Sequence, residues 1–475
     1  MKVATGLIKS TAFYSLGNLF TRSISFLLLP LYSNLLSTKE FGDYALIMSL
    51  YALVSTLYQF GMQNGLTKFY IEESSPHKRK KIFSTILNFI LLFGGLLTAI
   101  AIFISPRISE IVLNDSQYSD FIRLIFIALY LETAGYFFLH LLKTQERSKT
   151  VVLFSSISAI ANLLLNVWLV YFERLGVEGI LLAQIISAAI LIVIVFKEVK
   201  VEYLFRFDSS ILQSVIKFSY FFLAAGILTA AVDVADRFII NLFLGKEEVG
   251  IYGFAYRIAL IMNVFVISFR TAWSPRSLNL YYSGDYKVHY GKTFVKLIAG
   301  MGFIFLAVSF FTAELFNIRI FSFNLFNVEY ESGIVILPFV LMGYFFSGLV
   351  SFYSVYPFVA NKSYHFLIAD FLAFIVNIAF NFYLIPLMGI IGAAIATTLA
   401  FLINAAYLFL VGRKKVEVSY RRKETLIIVL SIAAAFIAGM IAKNIIVSLI
   451  LLAAYLVVVY FNTDIRFVKK STSAE

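Results

Sequence analysis

Charged side chains stand inside several of the longest apolar runs of this 475-residue chain. One such run holds Asp233, Asp236 and Arg237. If the run is helical, the three- and four-residue spacings place these side chains on one face. Two carboxylates beside one guanidinium leave excess negative charge, which could bind a cation or a proton. A structural salt bridge between Asp233 and Arg237 explains the pattern equally well, so both interpretations stay open.

A polar stripe runs through the first apolar segment, where Asn18 and Arg22 are four residues apart. The polar residues of this stripe recur at intervals of three and four, which places them on one helix face. An arginine at mid-membrane costs on the order of 2.5–3.5 kcal/mol, so it needs a reason to be there. We favour a cavity in which Arg22 meets an anionic group. The alternative is an arginine satisfied by its neighbours within a helix bundle.

A later apolar segment carries two further arginines. Tyr256, Asn263 and Arg270 are spaced by sevens and share one helix face, and Arg257 lies nearer the opposite end. Asn263, Arg257 and Arg270 are therefore candidates for the same cavity. For Arg270 the competing explanation is a long side chain that reaches toward lipid headgroups from the end of the helix.

Glu132 is a single carboxylate near the middle of another apolar segment, followed by Tyr136, His140 and Lys143 at four, four and three residues. It could pair with Arg22 or titrate as an ion-coupling site. With Asp233 and Asp236, it completes the set of ion-coupling candidates. For His140 we favour a structural role with its hydrogen bonds satisfied.

The composition indicates that these charged residues belong to a membrane protein. Hydrophobic residues make up 61% of the chain and charged residues 14%, against about 25% charged in soluble domains. A span needs about 20 mainly apolar residues. We predict an all-α protein with helices near 11–36, 43–66, 82–104, 121–142, 151–172, 177–196, 218–244, 250–273, 293–313, 333–357, 366–385, 387–411, 425–442 and 445–461.

Basic residues indicate how these fourteen helices are oriented. Most of the 39 Lys and Arg residues fall in every second connection, as the positive-inside rule requires with both termini in the cytoplasm. The net charge of +12 therefore reflects topology and not nucleic-acid binding. The N-terminal apolar run is too long for a signal peptide, so we expect a retained helix. Cysteine is absent, which excludes disulfides and thiolate chemistry, and no metal-ligand cluster or phosphate-binding loop occurs.

Four motifs recur in the same order in the two halves of the chain, which indicates an internal repeat. The Asn-x3-Asn motif, for example, occurs at Asn162 and Asn166 and again at Asn377 and Asn381. We expect these asparagines to hold helices together by hydrogen bonds. The predicted divisions are an N-lobe of helices one to six, a C-lobe of helices seven to twelve and a two-helix C-terminal part, at 1–200, 201–412 and 413–475. An even number of helices per copy makes the repeat parallel.

Three stretches of the chain carry a family resemblance: 233–256, which begins Asp-Val-Ala-Asp-Arg; 269–275, Phe-Arg-Thr-Ala-Trp-Ser-Pro; and 386–396, which begins Pro-Leu-Met-Gly-Ile-Ile-Gly. The opening Leu35–Tyr44 is also similar. These motifs resemble the bacterial polysaccharide-transport flippases, of the O-antigen type, within the multidrug/oligosaccharidyl-lipid/polysaccharide exporter superfamily. The resemblance covers nearly the whole chain. It implies two six-helix lobes around a central cavity and transport by alternating access.

The cargo that this resemblance implies is a lipid-linked oligosaccharide, typically on undecaprenyl diphosphate, moved from the inner to the outer leaflet for surface polysaccharide synthesis. We therefore expect a transporter of the cytoplasmic membrane and not an enzyme. The expected partners are the lipid-linked glycan and polysaccharide-assembly proteins. Na⁺ or H⁺ is the expected coupling ion, and no other cofactor is expected.

Two alternatives stay open. A drug or cation antiporter of the same superfamily would prefer an anionic cavity, whereas this chain offers several arginines. A membrane glycan polymerase or glycosyltransferase needs a sizeable external loop with catalytic carboxylates. The two longest predicted outer loops, near 105–120 and 314–332, hold few acidic residues.

Overall fold

The computed structural model describes residues 26–284, 286–320, 323–360, 362 and 364–463. The first half of this part consists of helices joined by short connections. Its helices are α1 (Leu29–Leu35), α2 (Thr38–Gln59), α3 (Met62–Glu72), α4 (Pro76–Phe103), α5 (Ser105–Leu113), α6 (Ser119–Thr144), α7 (Ser148–Asn166), α8 (Gly176–Val199) and α9 (Ser209–Leu244). A π-helical stretch, Val167–Phe172, extends α7.

The second half continues the pattern with eight helices. They are α10 (Lys246–Tyr282), α11 (Tyr286–Leu315), α12 (Leu337–Tyr353), α13 (Val355–Val359), α14 (Tyr364–Met388), α15 (Ile390–Gly412), α16 (Arg422–Ala442) and α17 (Ile445–Asn462). A two-stranded antiparallel hairpin, β1 (Arg319–Ile320) with β2 (Phe323–Asn324), interrupts them. A 3₁₀ segment, Val328–Ile336, precedes α12.

The predicted all-α membrane architecture is confirmed. Thirteen helices or helix pairs in the described residues are long and apolar enough to cross a membrane. They correspond to the second through fourteenth predicted helices, and most of them begin earlier or end later than predicted. The first predicted helix, 11–36, lies mainly outside the described residues.

Polar caps explain where several helices begin. Ser37 and Glu40 form a reciprocal capping box at the start of α2, with the Ser37 N–H donating to Glu40 Oε2 at 2.8 Å. Asp208 accepts from the N–H groups of Ser210 and Ile211 at the start of α9. Asn444 does the same for α17. These caps satisfy amide groups that the helix itself leaves without acceptors.

A break divides the second span. Phe60 and Gly61 both adopt positive φ, at 50° and 68°, so α2 ends and α3 begins within one membrane crossing. The break lies against α9, because a Cβ at Gly61 would meet the Ser219 carbonyl oxygen at 2.5 Å. Glycine at position 61 therefore adopts the positive φ without strain and also allows the close approach of α9.

Contacts group the described residues into two compact units. The first holds the chain up to Phe254 with Phe326–Ser332 and Asn377–Ala393, and the second holds the remaining described residues. The core of the first unit contains Phe83, Phe137 and other apolar side chains from α3, α4, α6, α8 and α9. The predicted boundaries at residues 200 and 412 concern the internal repeat and stay predictions.

An aromatic core organises the second unit. Trp273 stacks on Phe352 with ring centroids 5.2 Å apart, and Tyr290 packs edge-on against Trp273 at 5.0 Å. The Tyr455 hydroxyl of α17 donates to the carbonyl oxygen of Ala299 in α11 at 2.8 Å. Helix α17 is thereby attached to the same unit as α11.

The segment 200–208, here called the linker, joins α8 to α9 and lies along α4 in the first unit. Its backbone is held by α4 side chains: Lys80 Nζ donates to the Val201 carbonyl at 2.7 Å, and Ser84 Oγ accepts from the Leu204 N–H at 2.7 Å. At the linker's end, Lys81 forms an ion pair with Asp208 at 2.6 Å. The linker is therefore an ordered part of the first unit.

Helices α2 and α10 approach each other closely where both begin, within the first unit. A Cβ on Gly42 would collide with the Lys246 carbonyl oxygen, and a Cβ on Gly250 would collide with that of Thr38. Beside this crossing, Lys246 Nζ lies 2.7 Å from Asp43 Oδ1 in an ion pair that is nearly buried. Because glycine has no side chain, the backbones of the two helices can touch, and the ion pair fixes where they cross.

Asparagines of the first unit link helices, as predicted for this residue type. Asn162 Nδ2 of α7 donates to Ser187 Oγ of α8 at 3.1 Å. The Tyr32 hydroxyl of α1 donates to Asn166 Oδ1 at 2.7 Å. In the corresponding motif of α14, Asn381 Nδ2 donates to Asn377 Oδ1 at 2.9 Å, and both side chains are fully buried.

Candidate functional site

The charged run of α9 forms a compact cluster in the first unit. Arg237 Nη1 lies 2.8 Å from Asp236 Oδ1, and the two side chains are 12% and 0% exposed. The same nitrogen donates to the Asp233 backbone oxygen at 2.5 Å. Asp233 itself is exposed. The guanidinium is thus held against its own helix by one carboxylate and one carbonyl.

Tyr252, at the start of α10, completes this cluster. Its hydroxyl donates to Asp236 Oδ2 at 2.6 Å, and the Arg237 guanidinium lies 5.7 Å from its ring centroid. Both Asp236 oxygens therefore have a partner, as a buried carboxylate requires. The sequence left a salt bridge between Asp233 and Arg237 open as one of two interpretations; the ion pair that the structure shows joins Arg237 to Asp236, whose second oxygen accepts from Tyr252, and the ion-coupling role of Asp233 and Asp236 stays a prediction.

The other candidates of α10 belong to the second unit. Arg257 and Asn263 are half-buried, whereas Arg270 is exposed. In the described part of the chain Arg270 has no ion pair with a carboxylate. A guanidinium carries five N–H donors in a planar fork, which suits the oxygens of a phosphate group. The role of Arg257, Asn263 and Arg270 in binding an anionic cargo stays a prediction.

Two predicted cavity residues, Asn18 and Arg22, lie outside the described residues. The same holds for the pairing of Glu132 with Arg22 that the sequence left open. Within the residues that the structure describes, Glu132 forms no ion pair with a basic side chain.

Glu132 of α6 is held by two neutral partners in the first unit. The Tyr51 hydroxyl of α2 donates a short hydrogen bond to Glu132 Oε2, and Gln184 of α8 also hydrogen-bonds to the carboxylate. The neighbouring His140 hydrogen-bonds to the Gln63 carbonyl and to Thr67 Oγ1, each at 2.9 Å, which fits its predicted structural role.

Sequence reasoning missed the partners of these groups. Tyr51, Gln184 and Tyr252 are ordinary residues of apolar helices, and only the packing of α2, α8 and α10 brings them to the carboxylates. One signal was present: Tyr252 closes the repeated Gly245–Tyr252 motif, and Asp43 lies in its counterpart, so both copies place polar residues at a helix start. No group of three or more metal-ligating side chains occurs in the described residues.

Solved structures with the same fold come from membrane transporters. The lipid II flippase MurJ, in an inward closed conformation, superposes with a TM-score of 0.74 at 16% identity, covering 96% of this chain and 98% of its own. A multidrug resistance transporter of the MATE family, in an inward-facing conformation, gives 0.64 at 12% identity, covering 83% and 94%. The fold therefore defines a multi-pass helical membrane protein of the MurJ and MATE type.

Sequence comparison gives the family. The profile of the polysaccharide biosynthesis protein family matches residues 7–280, more than half of the chain. This chain belongs to that family, and the resemblance noted from its motifs is confirmed. A candidate O-antigen transporter of Shigella flexneri is 21% identical, covering 78% of this chain and 90% of its own. An uncharacterized membrane protein of Methanocaldococcus jannaschii is 22% identical, covering 96% and 93%.

Proposed function

We propose that this protein is a flippase that moves a lipid-linked oligosaccharide, on a carrier of the undecaprenyl diphosphate type, from the inner to the outer leaflet. The observation that carries the proposal is the family match over residues 7–280, a range that includes the intramembrane arginines Arg237, Arg257 and Arg270. The similarity to the lipid II flippase and to the candidate O-antigen transporter supports the same substrate class.

The chemistry of the cargo agrees with the arginines. A diphosphate headgroup must leave water as it crosses, and its charge is costly to bury unless donors replace the lost hydration. Arginine offers charge-assisted, bidentate hydrogen bonds to phosphate oxygens. The lipid tail can stay in the bilayer while the headgroup follows a polar passage. In this proposal the headgroup contacts Arg22, Arg257 and Arg270, with Asn18 and Asn263 beside them. Arg237 also contacts the headgroup while it stays paired with Asp236.

Transport would proceed by alternating access in the cytoplasmic membrane, with both termini in the cytoplasm. The glycan would come from enzymes that assemble it on the inner leaflet. The flipped product would pass to polysaccharide-assembly proteins on the outside. The driving force would be an ion gradient or the membrane potential.

Reconstituted vesicles test this proposal. Fluorescent glycan lipid is supplied in one leaflet, and its arrival in the other is followed with a membrane-impermeant quencher. We expect Arg257→Gln and Arg270→Gln to slow flipping at least tenfold each, and Arg→Lys changes to restore it only in part. Arg319→Gln, in a predicted outer loop, is the matched control. Flipping at the wild-type rate in both cavity variants would contradict the headgroup role.

An antiporter for organic cations is the second candidate, and the similarity to MATE structures favours it. An organic cation would be attracted by the carboxylates of Glu132 and Asp233 and repelled by the arginines. Measuring cation efflux in the same vesicles separates the two: efflux without flipping would replace the flippase proposal. A polymerase differs from both, because its loss in a cell leaves glycan units on the outer leaflet, whereas loss of a flippase traps them inside.

A further inference from the structure

The middle of the first unit contains a half-buried acid, Glu132, that forms no ion pair with a basic side chain of the described residues. Glu132 is near the centre of α6, Tyr51 is in the second half of α2, and Gln184 is in the first half of α8. Hydrogen bonds from Tyr51 and Gln184 converge on the carboxylate. Three membrane-crossing helices are thus joined through one titratable group.

The partners of Glu132 distinguish a proton from a metal cation. Both Tyr51 and Gln184 direct donors at the carboxylate, so their hydrogens occupy the positions where a sodium ion would need oxygen ligands. No group of three metal-ligating carboxylates or histidines exists among the described residues to complete such a shell. A proton needs only one carboxylate oxygen.

The groups around Glu132 also suggest a route for the proton. Tyr136 and His140 follow Glu132 at successive four-residue intervals along α6, with their ring centroids 5.7 Å apart. Tyr136 is 37% exposed, and Thr67 of α3 hydrogen-bonds to His140. The other basic and acidic side chains on α6 and on the described helices packed against it are Lys143, Asp120 and Arg123 on α6, Lys39, Glu40 and Asp43 (paired with Lys246) on α2, Lys68 and Glu72 on α3, His77, Lys78, Arg79, Lys80 and Lys81 on α4, Arg107 and Glu110 on α5, Lys149 on α7 and Glu178, Lys197 and Glu198 on α8.

We propose that Glu132 is the proton-binding group that couples transport to proton movement, an inference that rests on the proposed transport function. In its ionised form the carboxylate accepts from Tyr51 and Gln184 and holds α2 and α8 to α6. Uptake of one proton makes it a neutral carboxylic acid, which donates its O–H to one neighbour and accepts more weakly from the other. Hydrogen bonds to an ionised acceptor are roughly twice as strong as neutral ones, so protonation loosens α2 from α6 and release restores the link.

Infrared titration of the purified protein tests the proton site without any transport. We expect wild type to show a protonated-carboxyl band that appears as the pH falls, and Glu132→Gln to lack that band. Glu178→Gln, at the start of α8, is the matched control and should keep it. Tyr51→Phe should move the midpoint of the band to higher pH, because the ionised form has lost a donor. Identical bands in wild type and Glu132→Gln would overturn the proposal.

Flipping measured with and without a pH gradient tests the coupling. In wild-type vesicles we expect a gradient to change the flipping rate severalfold, and in Glu132→Gln we expect that response to vanish while exchange without a gradient persists. A Glu132→Gln variant that still responds to the gradient would refute the coupling role. If wild type flips no glycan lipid but shows the titrating band, the proposed cargo fails and the proton site stands.

Discussion

At the residue scale, the α9 cluster shows how a charge is kept inside the first unit. Arg237 is nearly buried and Asp236 completely so, with Tyr252 holding the second carboxylate oxygen. Removing one member of a buried pair leaves the other charge without compensation, which is costlier than never having had the pair. The intact cluster is therefore needed for the stability of the fold, whatever it contributes to transport.

Asp236→Asn should lower the free energy of unfolding by about 3 kcal/mol, because Arg237 then loses its buried counter-charge. Tyr252→Phe should cost only about 1–2 kcal/mol, since it removes one hydrogen-bond donor. Denaturant unfolding in mixed micelles measures both. The double variant Asp236→Asn, Arg237→Gln should be more stable than Asp236→Asn alone, and a double variant that is less stable would contradict the pairing.

At the element scale, the crossing of α2 and α10 depends on two glycines. Gly42→Ala should destabilise the protein by about 1–3 kcal/mol, because the added methyl group meets a backbone oxygen that no rotamer change can move. Thermal unfolding in detergent measures the effect. Gly95→Ala is the control: its Cβ would find the Tyr130 ring at 3.8 Å, an ordinary contact. Equal melting temperatures for the two variants would argue against a tight crossing.

The cap of α9 makes a prediction about pH. The Lys81 ammonium, with the Ser210 and Ile211 donors, holds the pKa of the Asp208 carboxyl well below its ordinary value. The resulting stability is complete above the usual Asp pKa of about 3.9 and is lost as the pH falls toward the folded-state pKa. Asp208→Asn should therefore lower the melting temperature at pH 7, and the deficit should shrink at pH 3. Glu202→Gln, a control in the linker, should show no such change; a constant deficit would contradict the linkage.

The sequence predicted most of the elements and few of the contacts. Apolar length located thirteen spans in the described residues because a membrane imposes one length on every crossing helix. It placed Glu132 at mid-membrane, but the identity of its partners depends on the rotation of α2 and α8 about their axes, which a uniformly apolar helix does not encode. The pairing of Arg237 with Asp236 instead of Asp233 is equally absent from the sequence pattern, because Tyr252, which donates to Asp236, lies on another helix.

At the scale of the whole molecule, the distribution of basic residues predicts orientation. A fluorescent protein inserted after Lys415 should fold and fluoresce, because that loop is expected on the cytoplasmic side. Alkaline phosphatase inserted after Asn114 should be active, because that loop is expected outside. The reverse pattern of reporter activity would show that the chain is inserted the other way, and the direction of proposed transport would reverse with it.

The linker along α4 has a consequence for how this protein can vary. Lys80 and Ser84 hold the linker by its carbonyl and amide groups, and Asn88 adds a contact to the Arg206 carbonyl at 3.4 Å. Where the attachment uses main-chain atoms it places little demand on the side chain, whereas Tyr203 and Asp208 are also held by their side chains, through Asn88 and Lys81. Positions such as Leu204 should accept almost any amino acid except proline, which lacks the N–H that Ser84 accepts. These positions of the linker can thus drift in sequence while its anchorage persists.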